Sequence, residues 1–410
     1  MSRRRALGML GGGLLAGCAP SRDADAVSFW AQSTEGENAP RLLPLFKAAT
    51  GIDVDLQSLP WTAAHEKILT AYAGAALPDV MMIANGWLAE LHMLGIAAPL
   101  PRSLAPDLFP GVLRSVSVGD RPFALPWMVD TQVQYYRRDL LADAGYPAPP
   151  ADWAGWKRMA RAVKQRRPDR WVVLMLLDWP EHLFGYAAQQ PDPLLRDRWS
   201  RGNFRSPGFR AVLAHYKSLF DEGLAPPIVG TEMGDMGNAF GSGWVAILPG
   251  GANFVGDLHN RFIPDRLWAA AEMPGPHGPA PGPVAGNSLV IAATCPRPDR
   301  AWALARFLCE PGTQRRFHGI TGDLPSRPSA WTVPALAEDA TAQTFCRQIK
   351  RGVPPPPVPE WARIQTEVQL VAEHMVRGDY SVDGAAAEMD ARVDRLLAKR
   401  RWLLDRGLAA

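Results

Sequence analysis

Phe46-Lys47-Ala48-Ala49-Thr50-Gly51-Ile52-Asp53-Val54-Asp55-Leu56-Gln57-Ser58-Leu59-Pro60-Trp61 joins a helix end, a turn and a strand within one short stretch. Over 40–49, Leu42, Leu45, Phe46 and Ala49 recur at the spacing of one helix face. Gly51 stands where a left-handed C-cap belongs, since glycine carries no Cβ to clash there. Ile52, Val54 and Leu56 then alternate with Asp53 and Asp55, the two-residue period of a strand. Upstream, 27–30 reads as a strand. Downstream, 63–73 reads as a helix with Ala64, Ile68 and Tyr72 in register and Gly74 closing it. A short apolar strand at 80–83 and a helix at 87–94, stopped by Gly95, continue the rhythm. Strands alternating with helices of this length predict an α/β fold with a largely parallel sheet covered on both faces.

The middle of the chain changes character. Strands are expected at 123–126 and 132–136, separated by Trp127-Met128-Val129-Asp130, and helices at about 139–144, 152–166 and 207–222. A strand at 244–248 runs into Pro249-Gly250-Gly251. The stretch 274–283 holds five prolines and reads as a loop or crossing segment. One more strand at 288–292 and a helix at 298–309 follow. The proline run 354–357 reads as a stiff spacer before two final helices, about 360–376 and 381–401.

The N-terminus carries an address. Arg3, Arg4 and Arg5 precede an apolar stretch at 6–15 that is too short to span a bilayer. Leu15-Ala16-Gly17-Cys18 then looks like a bacterial lipobox, which predicts a lipoprotein signal peptide over 1–17, lipidation of Cys18 and a tether at 18–26. Ser2-Arg3-Arg4 also resembles a twin-arginine signal, with Ala6 in place of the usual Phe, so both export routes stay open. The expected location is outside the cytoplasm, periplasmic or cell-surface, held to the membrane by the lipid. The three arginines account for the whole formal charge of +3; the remainder is balanced. Neutrality with no basic stripe argues against nucleic-acid binding. Cys295, Cys309 and Cys346 show no metal-type spacing and are expected as buried free thiols.

In this order, the blocks match a family. They include Phe46-x-x-x-Thr50-Gly51-Ile52-x-Val54, Trp61-Thr62-Ala63-Ala64-His65-Glu66-Lys67, Leu77-Pro78-Asp79-Val80 and Ala124-Leu125-Pro126-Trp127-x-x-Asp130-Thr131. Tyr135-Tyr136-Arg137-Arg138-Asp139-Leu140, Gly243-Trp244-Val245-Ala246-Ile247, Gly286-Asn287-Ser288 and Gly322-x-Leu324-Pro325-Ser326-Arg327 come later in the chain. The chain resembles bacterial extracellular solute-binding proteins of the group that includes maltose-binding protein. The resemblance implies a type II-like periplasmic binding-protein fold: two hinged α/β lobes with a ligand cleft between them. Lobe one would comprise 27–135 plus 284–328, and lobe two 136–283 plus 329–410. It also implies a monomeric binding component of an ABC transporter, handing a mono- or oligosaccharide to membrane permease subunits, with no cofactor, metal or catalytic residue.

A pyranose ring has an apolar C–H face and a rim of hydroxyls, so it needs a flat aromatic surface and planar polar groups. Fifteen Trp supply ample surface. Trp61, Trp87 and Trp127 are candidate platforms from lobe one, with Asn85 and Asp130 as hydroxyl partners. Glu35 and its neighbour Glu37, in a loop at 33–38, match a ligand-contacting position of the family. From lobe two, Asp178 and Trp179 end a strand, Gly250 and Gly251 would admit close backbone approach, and Asn253 lies just beyond. Asn287 and Arg327 return on crossing segments, and Trp361 comes after the proline run. Each has a plain structural alternative: strand-end packing for Trp61, helix capping for Asn85 and Trp361, turn capping for Asp130. His65-Glu66 opens like a zinc-peptidase motif, but Leu69 stands where the second histidine belongs. A glycoside-processing enzyme built on paired carboxylates, and the same fold holding a polyamine or a glycerol-phosphate-type solute, remain open at this point.

Overall fold

The computed structural model describes residues 25–104, 107–259 and 263–407. The signal stretch 1–17, Cys18 and nearly all of the tether lie outside the described residues.

Two sheets organise the chain. The first has five strands, in the order Val54–Leu59, Val27–Gln32, Val80–Ala84, Asn287–Ile291 and Leu125–Pro126. The first three are parallel, as the strand–helix alternation predicts. Asn287–Ile291 arrives from the opposite lobe and therefore runs antiparallel to both its neighbours. The second sheet has four strands, ordered Trp268–Ala271, Val133–Arg137, Val245–Gly250 and Trp171–Val173. Two of its three pairings are antiparallel, as are two of the four in the first sheet, so the expected parallel pairing holds for the first three strands of the first sheet only.

Strand pleating sends alternate side chains to opposite faces. Phe29, Val80 and Met82 accordingly bury against Leu42, Phe46 and Leu304, while Trp30, Met81 and Ile83 bury on the other side against Ala64, Ile68 and Leu91. Gly51 ends the helix Leu43–Thr50 at φ 73°, the left-handed cap the sequence called for. In the second lobe Tyr136 and Ile247 face one core and Tyr135 and Leu248 another. The closing helices Trp361–Arg377 and Val382–Leu396 lay Val368, Val371, Met389 and Val393 on the first of these cores.

Three segments cross between the sheets. Met128–Val129 pairs with Leu324–Pro325, and Asp130 forms a bridge with Ala285. Cys295, Cys309 and Cys346 are all free thiols, the first only partly buried. None of the described helices is long and apolar enough to cross a membrane.

Candidate ligand-binding site

Between the lobes lies a cavity of about 1750 Å3, well above the roughly 300–1000 Å3 of common small-molecule sites. Its first-lobe wall is built at the carboxyl ends of the three parallel strands, where open α/β sheets place ligands. Glu35 comes just after the first strand, Trp61 opens the helix after the second, and Asn85, Gly86 and Trp87 succeed the third. The crossing segments contribute Met128, Asp130, Asn287 and Asp323. The second lobe adds Phe184, Gln189, Trp199, Asn253 and Trp361.

Of the residues expected from sequence, Glu35, Trp61, Asn85, Trp87, Asp130, Asn253, Asn287 and Trp361 border this cavity. Trp61 is 43 % exposed and tilts against Trp87 at a centroid distance of 5.5 Å, forming an indole pair at the rim. His65 stays behind it, holding Glu90 at 2.8 Å beneath the Trp87 ring. Asn287 donates to a Glu35 carboxylate oxygen at 2.8 Å. Asn85 is already engaged: its amide donates to Ser115 and its carbonyl accepts from Ser288. Trp361 meets Phe184 edge-on at 5.1 Å.

Several expectations are corrected. Trp127 is 1 % exposed and stacks on Phe317 at 4.8 Å, inside the first-lobe core. Asp178 accepts from the Gly230 N–H at 2.8 Å, and Trp179 packs beside the second-lobe core near His182; neither borders the cavity. Gly250 and Gly251 make room for protein and not for ligand. A Cβ on the first would lie 2.6 Å from the Phe254 ring, and one on the second 2.2 Å from an Asp130 oxygen. Arg327 turns to Asp107 at 3.6 Å, away from the cavity lining. Residues 33–38 form a short helix, not a loop, with Glu35 buried and Glu37 exposed.

Asp130 ties the lobes together. One of its carboxylate oxygens accepts the N–H groups of Thr131 at 2.8 Å and of Ala252, in the second lobe, at 3.0 Å. Its burial outweighs those donors and pushes its pKa up to about 6 from an ordinary 3.8. Burial, with the charge of Asp323 nearby, pushes Glu35 up to about 7 from 4.5, against the opposing help of its own N–H and of Asn287. A carboxyl whose folded pKa exceeds its unfolded one binds its proton more tightly in the native state. Its contribution to stability is therefore greatest below the unfolded pKa and is lost as pH rises through the folded one. Glu35 and Asp130 are therefore expected to lower the stability of the ligand-free protein in urea between about pH 5 and pH 8. Below about pH 6.5 His182 and His215 act in the opposite direction, because burial depresses their pKa to about 4 and about 3. Glu35→Gln is expected to flatten that decline and to gain at most about 3 kcal/mol at pH 8. Parent and Glu35→Gln profiles that run parallel over this range contradict the assignment.

The sequence did not point to Phe184, Gln189, Trp199, Asp323 or the prolines 354–357 as cavity walls. Trp199 sits on a turn in which Asp197, Arg198 and Trp199 all have positive φ, 53°, 55° and 60°. The proline run was legible as rigid, but which side of the chain it would wall off was not.

Comparison with known proteins agrees with this architecture. The family model for bacterial extracellular solute-binding proteins matches residues 30–315. The structure of the sugar-binding protein MalE from Xanthomonas citri is 40 % identical, with a TM-score of 0.90 over 93 % of this chain and 99 % of that one. The GacH receptor of Streptomyces glaucescens, solved unliganded and with acarbose, is 24 % identical. Its TM-score is 0.79 over 91 % of this chain and 98 % of its own. An uncharacterised lipoprotein of Streptomyces antibioticus is 25 % identical over 79 % of this chain and 76 % of that protein. Two hinged lobes around one large cavity, a family model that reaches over most of the sequence and full-length agreement with a 40 % identical structure lead to one conclusion: the chain belongs to the bacterial extracellular solute-binding proteins, the binding components of ABC transporters.

Proposed function

We propose that this protein captures a sugar between its lobes and delivers it, unchanged, to the permease of an ABC importer. On this reading it works as a monomer outside the cytoplasm, anchored through lipid on Cys18. The observation that carries it is the cavity's composition. Trp61, Trp87, Trp199 and Trp361 offer ring surfaces, and Asn253, Asn287, Asp130 and Glu35 offer planar polar groups to the hydroxyl rim. Sugar rings need both, and closure of the lobes desolvates the two together. The volume suits a ligand of more than one ring, or an open cleft around a smaller one.

A thermal-shift screen of the purified protein against mono- and oligosaccharides, polyols and polyamines tests the ligand class. Sugars that raise Tm, with stoichiometric heat on titration, support the reading; stabilisation by polyamines alone removes it. Labelled oligosaccharide recovered intact after long incubation supports binding without turnover, and released product would revive the glycoside-processing alternative. Trp61→Ala is expected to weaken the sugar selected by the screen about tenfold, or roughly 1.4 kcal/mol. Because Trp61 is exposed at the rim, stability should stay within about 0.5 kcal/mol of the parent. Calorimetric titration and urea denaturation of the same preparation read the two effects apart.

A further inference from the structure

The cavity is far more acidic than the chain that encloses it. Its walls carry Glu35, Asp120, Asp130, Glu181, Asp192 and Asp323 against a single cation, Arg114. The whole sequence, by contrast, has 44 Lys and Arg against 41 Asp and Glu. Among the described residues, the ion pairs engage other acids, such as Asp53, Asp107 and Glu272, and none involves these six. Arg114 neutralises none of them, since its guanidinium turns to the Gly352 carbonyl. Burial raises the pKa of Glu35, Asp130, Glu181 and Asp323, so a cation placed among them is favoured because it holds them ionised. The Asp323 charge also helps hold the Glu35 carboxyl protonated to higher pH.

A metal ion does not fit this distribution. The carboxylates are spread along the cavity, and among the described residues no group of three or more His, Cys, Asp or Glu is placed to hold one. An organic cation fits better, because the indole faces of Trp61 and Trp87 attract ammonium groups as well as C–H faces. A second observation narrows its chemistry. Gln189 borders the cavity and is only 7 % exposed. Its amide oxygen accepts the Trp153 indole N–H at 2.9 Å, which fixes the orientation of the group, and its Nε2 is buried with no partner. That donor needs an oxygen acceptor. A polyamine offers only N–H groups, whereas a ring hydroxyl can accept. Asp323 likewise keeps one carboxylate oxygen buried without a partner, waiting for a donor.

We propose that the ligand of this cavity is an amino sugar, a hydroxylated ring whose protonated amine lies beside Glu35 and Asp323 and whose oxygens accept from Gln189. This rests on the sugar reading above and adds the charge. Calorimetric titration at neutral pH with three trimers of one β-1,4 backbone tests it: the glucosamine trimer, its N-acetylated form and cellotriose. Glucosamine against glucose, and spermidine, complete the set. The aminated sugars are expected to bind at least tenfold tighter than their neutral counterparts. Asp323→Asn should abolish that advantage, and Gln189→Leu should weaken aminated and neutral sugars alike. Neutral sugars binding as tightly as aminated ones overturn the amine and leave the sugar reading standing. An advantage that survives both Asp323→Asn and Glu35→Gln overturns the placement of the amine beside these two carboxyls. Spermidine binding without any sugar, or no binding by any probe, overturns both.

Discussion

Trp127→Ala is expected to remove about 3–5 kcal/mol of stability, the usual range for truncating a buried tryptophan. The indole is fully buried, tilted against Phe29 at 6.0 Å and stacked on Phe317 at 4.8 Å. It lies between the first sheet and the helix Pro311–Thr321, so its removal leaves a void in the first-lobe core. At about 2–4 °C per kcal/mol for a lobe of this size, Tm should drop by roughly 6–20 °C. Affinity of the folded fraction, measured by titration well below the new Tm, should change less than threefold, since the ring is absent from the cavity wall. Urea denaturation gives the stability change directly. A variant that keeps its Tm but loses its ligand would return Trp127 to the site. The contrast with Trp61→Ala is the useful control: the same residue type, with burial alone deciding whether stability or binding suffers.

Trp127 also marks where sequence reasoning runs out. The fold was legible because its signals are local. Gly51 must accept a left-handed cap, Val54 and Leu56 must share one side of a strand, and Ala64 and Ile68 must lie along one side of a helix. The ends of the parallel strands were legible for the same reason, and they brought Glu35, Trp61, Asn85 and Trp87 to the cavity. Chain order alone places a residue at the end of a strand; the roll of a crossing segment depends on contacts far away in the chain. Trp127 and Asp130 are three residues apart on one crossing, yet the first turns into the core and the second into the cleft. That roll is set by long-range partners, Phe317 for one and Ala252 for the other. Gly250 and Gly251 misled in a related way. Small residues at a strand end signal a close approach, but the approaching groups are Phe254, from the helix just after the strand, and Asp130, from a distant crossing segment. Gln189 and Asp323 had no signature beyond polarity, and their unpartnered atoms emerge only from a full accounting of buried hydrogen bonds.

Asp130→Ala is expected to cause the largest loss of binding among single substitutions in the cleft. The residue does two things at once. Its backbone exchanges two hydrogen bonds with Ala285, joining two crossing segments, and its side chain reaches Ala252 at the start of the second-lobe wall. Truncation therefore frees the wall that carries Asn253 and strips an acceptor from the Thr131 and Ala252 N–H groups. Hydrogen bonds to a charged group contribute about 1.5–3 kcal/mol each. The raised pKa already nets those bonds against the cost of burying the charge, and at pH 8 the balance disfavours the ionised side chain by about 3 kcal/mol, from a pKa held near 6 against an ordinary 3.8. Truncation relieves that cost but strands two N–H groups at about 1–3 kcal/mol each, so net stability should change by no more than about 1–2 kcal/mol. Affinity has no such compensation, because ligand and lobe closure both depend on the intact contact. A loss of about 2–4 kcal/mol is expected, as when one member of a buried charged contact is removed. That corresponds to a roughly thirty- to seven-hundredfold rise in Kd. Asp130→Asn separates geometry from charge: its amide oxygen can still accept from Ala252, so most of the affinity should survive if Asp130 acts by holding the wall. If the carboxylate instead takes ligand hydroxyls or an amine directly, Asn should bind nearly as poorly as Ala. Titration of both variants decides between these roles, and parent-like binding by both would remove Asp130 from the site.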